Sequence, residues 1–172
     1  MKKIIQLGIF LGIICIISSG ALYYTNSVTA PVIAKNQKDA TDKLLKQIVS
    51  DADEFKTEEV NKGSIITIYY ALKDGKTTDT IYEVSAYGFQ SDIKVLVAIN
   101  NTSNKFSGFQ VIEQAETPGY GTQIQTSKKY QSQFTTKSID DEVDTITGST
   151  VSTAALKEAI DEAVAHYKEN NK

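Results

Sequence analysis

The chain opens on an apolar run that no later segment matches. From Ile4 to Tyr24, "IIQLGIFLGIICIISSGALYY", no side chain is charged. As a helix rising about 1.5 Å per residue, such a run can cross roughly 30 Å of hydrocarbon. Lys2 and Lys3 precede it, and the next charge is Lys35. That asymmetry predicts a retained single-pass anchor in the cell membrane, with a cytoplasmic N-terminus and the C-terminal part extracytoplasmic. A cleaved leader is the alternative, but its apolar core spans only about 7 to 15 residues and is followed by a small-residue cleavage site. None stands out after Tyr24. The expected division is a membrane anchor and juxtamembrane segment over residues 1–34 and an extracytoplasmic domain over 35–172.

Beyond "TNSVTAPVIAKNQ", which Pro31 punctuates, the pattern changes to helical spacing. Ala40, Leu44, Leu45, Ile48 and Val49 in "KNQKDATDKLLKQIVSDADEF" predict an amphipathic helix. Runs with strand character follow. "SIITIYYAL" and "TIYEVSAYG" flank "KDGK", whose Asp74-Gly75 predicts a hairpin turn. "IKVLVAIN" and "FSGFQVIEQ" flank the polar "NTSNK". "ETPGYGTQI" reads as a loop and "TSKKYQSQF" as a short helix. The last element is clearest. Val151, Ala155, Ala159, Ala163 and Tyr167 recur every four residues beside Leu156, Ile160 and Val164, which predicts one apolar helical stripe. The order gives an α+β fold: a transmembrane helix, then one domain with a mainly antiparallel sheet and flanking helices.

Composition removes several functions. One cysteine allows no intramolecular disulfide, and with one histidine it gives no metal site of the usual spacing. The chain has no arginine and a net charge of −3, with both N-terminal lysines outside the acidic domain, so nucleic acid is not an expected partner. "PGYGTQI" lacks the third glycine of a dinucleotide fingerprint, and neither a phosphate-loop lysine motif nor a nucleophile elbow is present. "DDEVD" lacks the glycine and ligand spacing of a calcium loop.

What remains is "DTITGSTVST", residues 144–153, just before the last helix. Serine and threonine are preferred helix caps, since a side-chain oxygen accepts an orphan N–H. The same open N–H groups and helix dipole attract a phosphate, and Gly148 lets the backbone approach a bulky group. Both readings suit the residues.

"DTITGST", residues 144–150, resembles the flavinylation motif D-x-x-[ST]-G-[AS]-T of FMN-binding domains. These domains occur in the G subunit of the Rnf electron-transport complex and the C subunit of the sodium-pumping NADH:quinone oxidoreductase. "ETPGYGT", residues 116–122, resembles the loop that lies against the flavin in this family. "AYGFQSDIKVLVAINNTSNKFSGFQVIEQAETPG" resembles the strand-turn-strand approach to that loop, and the segment after the anchor resembles the juxtamembrane part of Rnf G subunits. The resemblance implies covalent FMN on Thr150 through a phosphoester. Asp144, Thr147, Gly148 and Ser149 fall in the flavinylation motif, and Glu116, Thr117, Pro118, Gly119 and Tyr120 in the flavin-facing loop. It implies an electron-transfer subunit rather than a complete enzyme, lodged in the bilayer with the other membrane subunits of an Rnf-type complex and matured by a flavin transferase. The alternative is a stand-alone extracytoplasmic carrier serving another membrane dehydrogenase.

Overall fold

A computed structural model describes residues 2–171 of the chain, which divides into two compact units, Met1–Asp42 and Lys43–Lys172. The described residues of the first are helical. Helix α1 runs Lys2–Ile48 and contains Pro31. Ile4, Phe10 and Leu22 are exposed along it, and it is long and apolar enough to cross a membrane. The sequence pattern predicts a break at Pro31 and a second helix reaching Phe55. One helix instead carries through Pro31 and stops at Ile48. Proline removes a single backbone hydrogen bond, whereas leaving the helix strands several backbone groups at once.

The second unit is built on a five-stranded antiparallel meander: β1 (Glu54–Lys62), β2 (Ile65–Lys73), β3 (Lys76–Tyr87), β4 (Asp92–Asn100) and β5 (Lys105–Glu113), in spatial order β1-β2-β3-β4-β5. The Asp74-Gly75 hairpin forms as its residues predict. Both have positive φ, 51° and 74°, and Lys73 pairs with Lys76. Strand β1 is the element the pattern does not announce. Its "EFKTEEVNK" offers only Phe55 and Val60 as apolar positions, and the charges suit the solvent side of an edge strand.

Alternation divides the strands between two faces. On one, Ala71, Ile81, Leu96 and Ala98 meet Leu45 and Val49 from the end of α1 and the residue after it. Gly108 makes this approach possible, because a Cβ there would collide with Ile48. On the other face, Ile68, Tyr82, Val84, Val95 and Val97 meet Leu156, Ile160 and Ala163 of α4 (Thr150–Asn170) and Phe134 of α3 (Lys128–Thr136). Ile81, Leu96, Leu156 and Ile160 are fully buried, and each such side chain contributes about 1.5–3 kcal/mol through burial. The stripe on α4 packs as expected except at its head, where Val151 is 58% exposed.

Register decides what gathers at one end of the sheet. Tyr87 pairs with Asp92, and Lys94 with Glu113. The tight β3–β4 turn, Gly88–Ser91, therefore lies beside the exit of β5, and the loop that follows β5 meets the start of α4.

Candidate functional site

A pocket of about 490 Å³ opens where those three segments meet, within the usual range of roughly 300–1,000 Å³ for small-ligand sites. Phe89 contributes from the β3–β4 turn. Glu116, Thr117, Tyr120 and Gly121 contribute from the loop after β5, and Gly148 to Ser152 from the head of α4.

The loop is shaped by its own hydrogen bonds. Gly119 takes φ +79°, a left-handed conformation suited to glycine. Its N–H donates to Thr122 Oγ1 at 2.9 Å, and its carbonyl accepts from Gln123 Nε2 at 2.8 Å. Short helix α2 (Gln123–Thr126) follows at once. Thr117 Oγ1 reaches across to Gln90 Oε1 of the β3–β4 turn at 3.0 Å. Tyr120 and Phe89, one on each lip, are 61% and 69% exposed. Large aromatic surface left in water beside a cavity marks a place for a ligand or partner.

The head of α4 is open. Gly148 turns the chain into the helix at φ +88°. Ser149 occupies the cap position, but its side chain makes no cap hydrogen bond. Its hydroxyl instead donates to the Tyr120 carbonyl. Among the described residues, the N–H groups of Thr150, Val151 and Ser152 have no partner; the first that does is Thr153 N–H, on Ser149 O at 2.9 Å. The hydroxyls differ as sharply. Ser152 Oγ donates to Glu116 Oε2 at 2.8 Å. Thr153 Oγ1 donates to Ser149 O at 2.9 Å and accepts Ile146 N–H at 3.1 Å. Both side chains are buried, as is that of Ser149. Thr150 is exposed on the pocket wall, and its hydroxyl makes no hydrogen bond among the described residues.

Of the ten residues singled out from sequence, Glu116, Thr117, Tyr120, Gly148, Ser149 and Thr150 line the pocket, whereas Pro118, Gly119, Thr147 and Asp144 do not. Pro118 and Gly119 shape the loop. Asp144 is docked by Gln133, which accepts its N–H at 2.8 Å and donates to its carbonyl at 3.3 Å. Its exposed carboxylate pairs with Lys137 at 2.7 Å, and that hydrogen bond and charge hold its pKa below the usual carboxylate value. Glu116 lines the pocket with its side chain turned inward, 5% exposed.

Phe89, Gly121, Val151 and Ser152 also line the pocket and are not among the ten, although Gly121 lies within the ETPGYGT loop. The signal for Phe89 is the Gly88-Phe89 step inside "AYGFQSD", at the turn that leads into β4. A Cβ at Gly88 would press on the Glu116 carboxylate and Ile93 Cδ1, so any larger residue there would have to displace them.

These features suit FMN: two aromatic lips for a planar ring, and three open N–H groups with the helix dipole for a phosphate. Among the described residues no cluster suits a metal ion. Comparison with known proteins agrees. Residues 88–165 match the FMN-binding domain, and residues 1–48 the RnfG N-terminal region. The chain is 27% identical to the G subunit of the ion-translocating oxidoreductase complex of Methanosarcina acetivorans, over 95% of this chain and 94% of that one. It is 28% identical to the G subunit of the proton-translocating ferredoxin:NAD(+) oxidoreductase complex of Clostridium ljungdahlii, over 90% and 86%. It is 23% identical to the G subunit of the Na(+)-translocating ferredoxin:NAD(+) oxidoreductase complex of Acetobacterium woodii, over 99% and 95%. From the anchor to the last helix, the chain belongs to the FMN-binding domain family, as a G subunit of the Rnf type.

Proposed function

We propose that the protein is a membrane-anchored flavoprotein that carries FMN as a phosphoester on Thr150 and passes electrons as a subunit of an Rnf-type complex. The observation that carries the assignment is the state of the hydroxyls at the head of α4. Ser149, Ser152 and Thr153 are buried and committed to hydrogen bonds, while Thr150 is exposed on the pocket wall and uncommitted. Thr147 is also exposed, but it lies off the wall and before the Gly148 turn.

The chain's own groups have distinct tasks. Thr150 Oγ1 supplies the ester oxygen. The N–H groups of Thr150, Val151 and Ser152 offset the phosphate charge. Phe89 and Tyr120 take the faces or edge of the ring, and the loop backbone shields it from water. When bound, FMN supplies the one- and two-electron chemistry, and the protein supplies orientation and electrostatics. A covalent tether also makes retention independent of free FMN around the domain. A flavin transferase forms the bond, and Asp144, the first residue of the motif, presents that enzyme with an exposed carboxylate paired with Lys137. Lys2 and Lys3 favour a cytoplasmic N-terminus and an extracytoplasmic flavin domain. The Rnf assignment rests on similarity along nearly the whole chain, anchor included.

Thr150→Val keeps the shape of the side chain and removes the nucleophilic oxygen. Co-expressed with the flavin transferase, the variant is expected to fold, to lack the mass of one FMN ester, and to show no fluorescent band on a denaturing gel. Covalent FMN on Thr150→Val would remove Thr150 from the role and pass it to another hydroxyl.

A further inference from the structure

Glu116 is the point on which all three walls of the pocket converge. Its Oε1 accepts N–H groups of Gln90 at 2.9 Å and Ser91 at 3.0 Å, and its Oε2 accepts Phe89 N–H at 3.3 Å. Oε2 also accepts the Ser152 hydroxyl of α4 at 2.8 Å. Two glycines press against the same side chain. A Cβ at Gly88 or at Gly121 would overlap it. The donors are neutral, and Glu116 forms no ion pair among the described residues. Burial alone would raise its pKa, but the hydrogen bonds from Gln90, Ser152, Ser91 and Phe89 outweigh burial and hold it below the usual glutamate value. At neutral pH a buried negative charge therefore lies in the pocket wall, solvated by amide and hydroxyl dipoles rather than cancelled by a cation.

We propose that Glu116 is the positioning residue of the flavin pocket: its carboxylate ties the β3–β4 turn that carries the Phe89 lip to the head of α4, and its uncancelled charge opposes the gain of negative charge by a ring held there. This rests on the assignment of the pocket to FMN. Only a carboxylate meets the geometry. Glutamine would turn one NH₂ toward a wall made of donors, and aspartate is one methylene short. Adding two electrons and one proton to an isoalloxazine leaves it with one negative charge. A fixed negative charge nearby makes that addition less favourable and lowers the midpoint potential.

The test compares the full-length chain with Glu116→Gln in detergent, in two arms. Without flavin, amide hydrogen exchange is followed at residues 89–91. Exchange there is expected to accelerate at least about tenfold in the variant, while the inner amides of β3 and β4 keep their protection. With covalent FMN at equal load by mass, reductive titration with dithionite is expected to give a higher midpoint potential, and FMN fluorescence anisotropy is expected to fall. Glu116→Asp is expected to lie between the two. Should Glu116→Gln fail to fold, Ser152→Ala, which removes one donor and keeps the three N–H bonds, is expected to lower the anisotropy and speed exchange at 89–91 by a smaller factor. Unchanged exchange at 89–91, or an unchanged potential and anisotropy at equal load, overturns the proposal. A wild-type chain that takes no FMN counts against the FMN assignment alone, since the exchange arm still decides the role of Glu116.

Discussion

Helices α3 and α4 both begin at a serine, and only one of those serines does what a cap serine ordinarily does. Ser127, ahead of α3, has an extended backbone and its side chain accepts Tyr130 N–H at 3.3 Å. Ser149, ahead of α4, gives its hydroxyl to the Tyr120 carbonyl and leaves the first turn of the helix open. The residue type and position are the same. The difference is what stands in front. The start of α3 is followed by Lys128 and Lys129 in water, and that of α4 faces the loop after β5 across a pocket. A helix N-terminus is left free to take an anion when a neighbouring loop diverts its cap hydroxyl and a cavity keeps the freed N–H groups accessible.

The strongest way to break this contrast is to disturb the turn that aims the head of α4. Gly148 has φ +88°, and no atom lies within 4 Å of a Cβ placed on it, so Gly148→Ala meets backbone strain and no clash. The expected cost is about 1–2 kcal/mol in thermal or urea unfolding, with a reduced fraction of chains carrying covalent FMN because Thr150 is displaced. Full flavinylation with unaltered stability would show that the turn does not aim the threonine. Next in size is Ser127→Ala. Losing a working cap is expected to cost about 1 kcal/mol, with FMN incorporation unchanged. A drop in flavin load from that change would mean that the two helix starts are coupled and the contrast between them is false.

How much of this was legible in the sequence depends on the range of the interaction concerned. The hairpin at Asp74-Gly75 and the buried stripe of α4 are local, written in turn chemistry and spacing, and both form as the pattern predicts. Motifs in two loops also named most of the pocket wall. The misses are non-local. Strand β1 has almost no apolar alternation and is held by its ladder to β2, which sequence periodicity does not register. Val151 continues the stripe in sequence yet is exposed, because the wall in front of it is a cavity rather than the sheet. Glu116 belongs to a loop motif, and only the fold shows that its carboxylate faces the backbone of a turn more than twenty residues earlier in the chain.

The smallest effect separates stability from function at the same helix head. Val151 is the second residue of α4, exposed beside the open N–H groups, with no acidic residue in the first turn. Val151→Asp places a carboxylate where the helix dipole welcomes one, and is expected to stabilise the fold by about 0.3–1 kcal/mol. The same charge would occupy the open N–H groups and repel a phosphate, so covalent FMN is expected to fall while the melting temperature rises. Lys128→Asp is the matched change on α3, which likewise has no acid in its first turn. It is expected to stabilise by a similar amount with no loss of flavin. Opposite movement of stability and flavin load at α4, and movement of stability alone at α3, is what an anion site confined to one of two similar helix starts requires. If Val151→Asp leaves FMN incorporation at the wild-type level, the N–H groups of α4 are not what receives the phosphate.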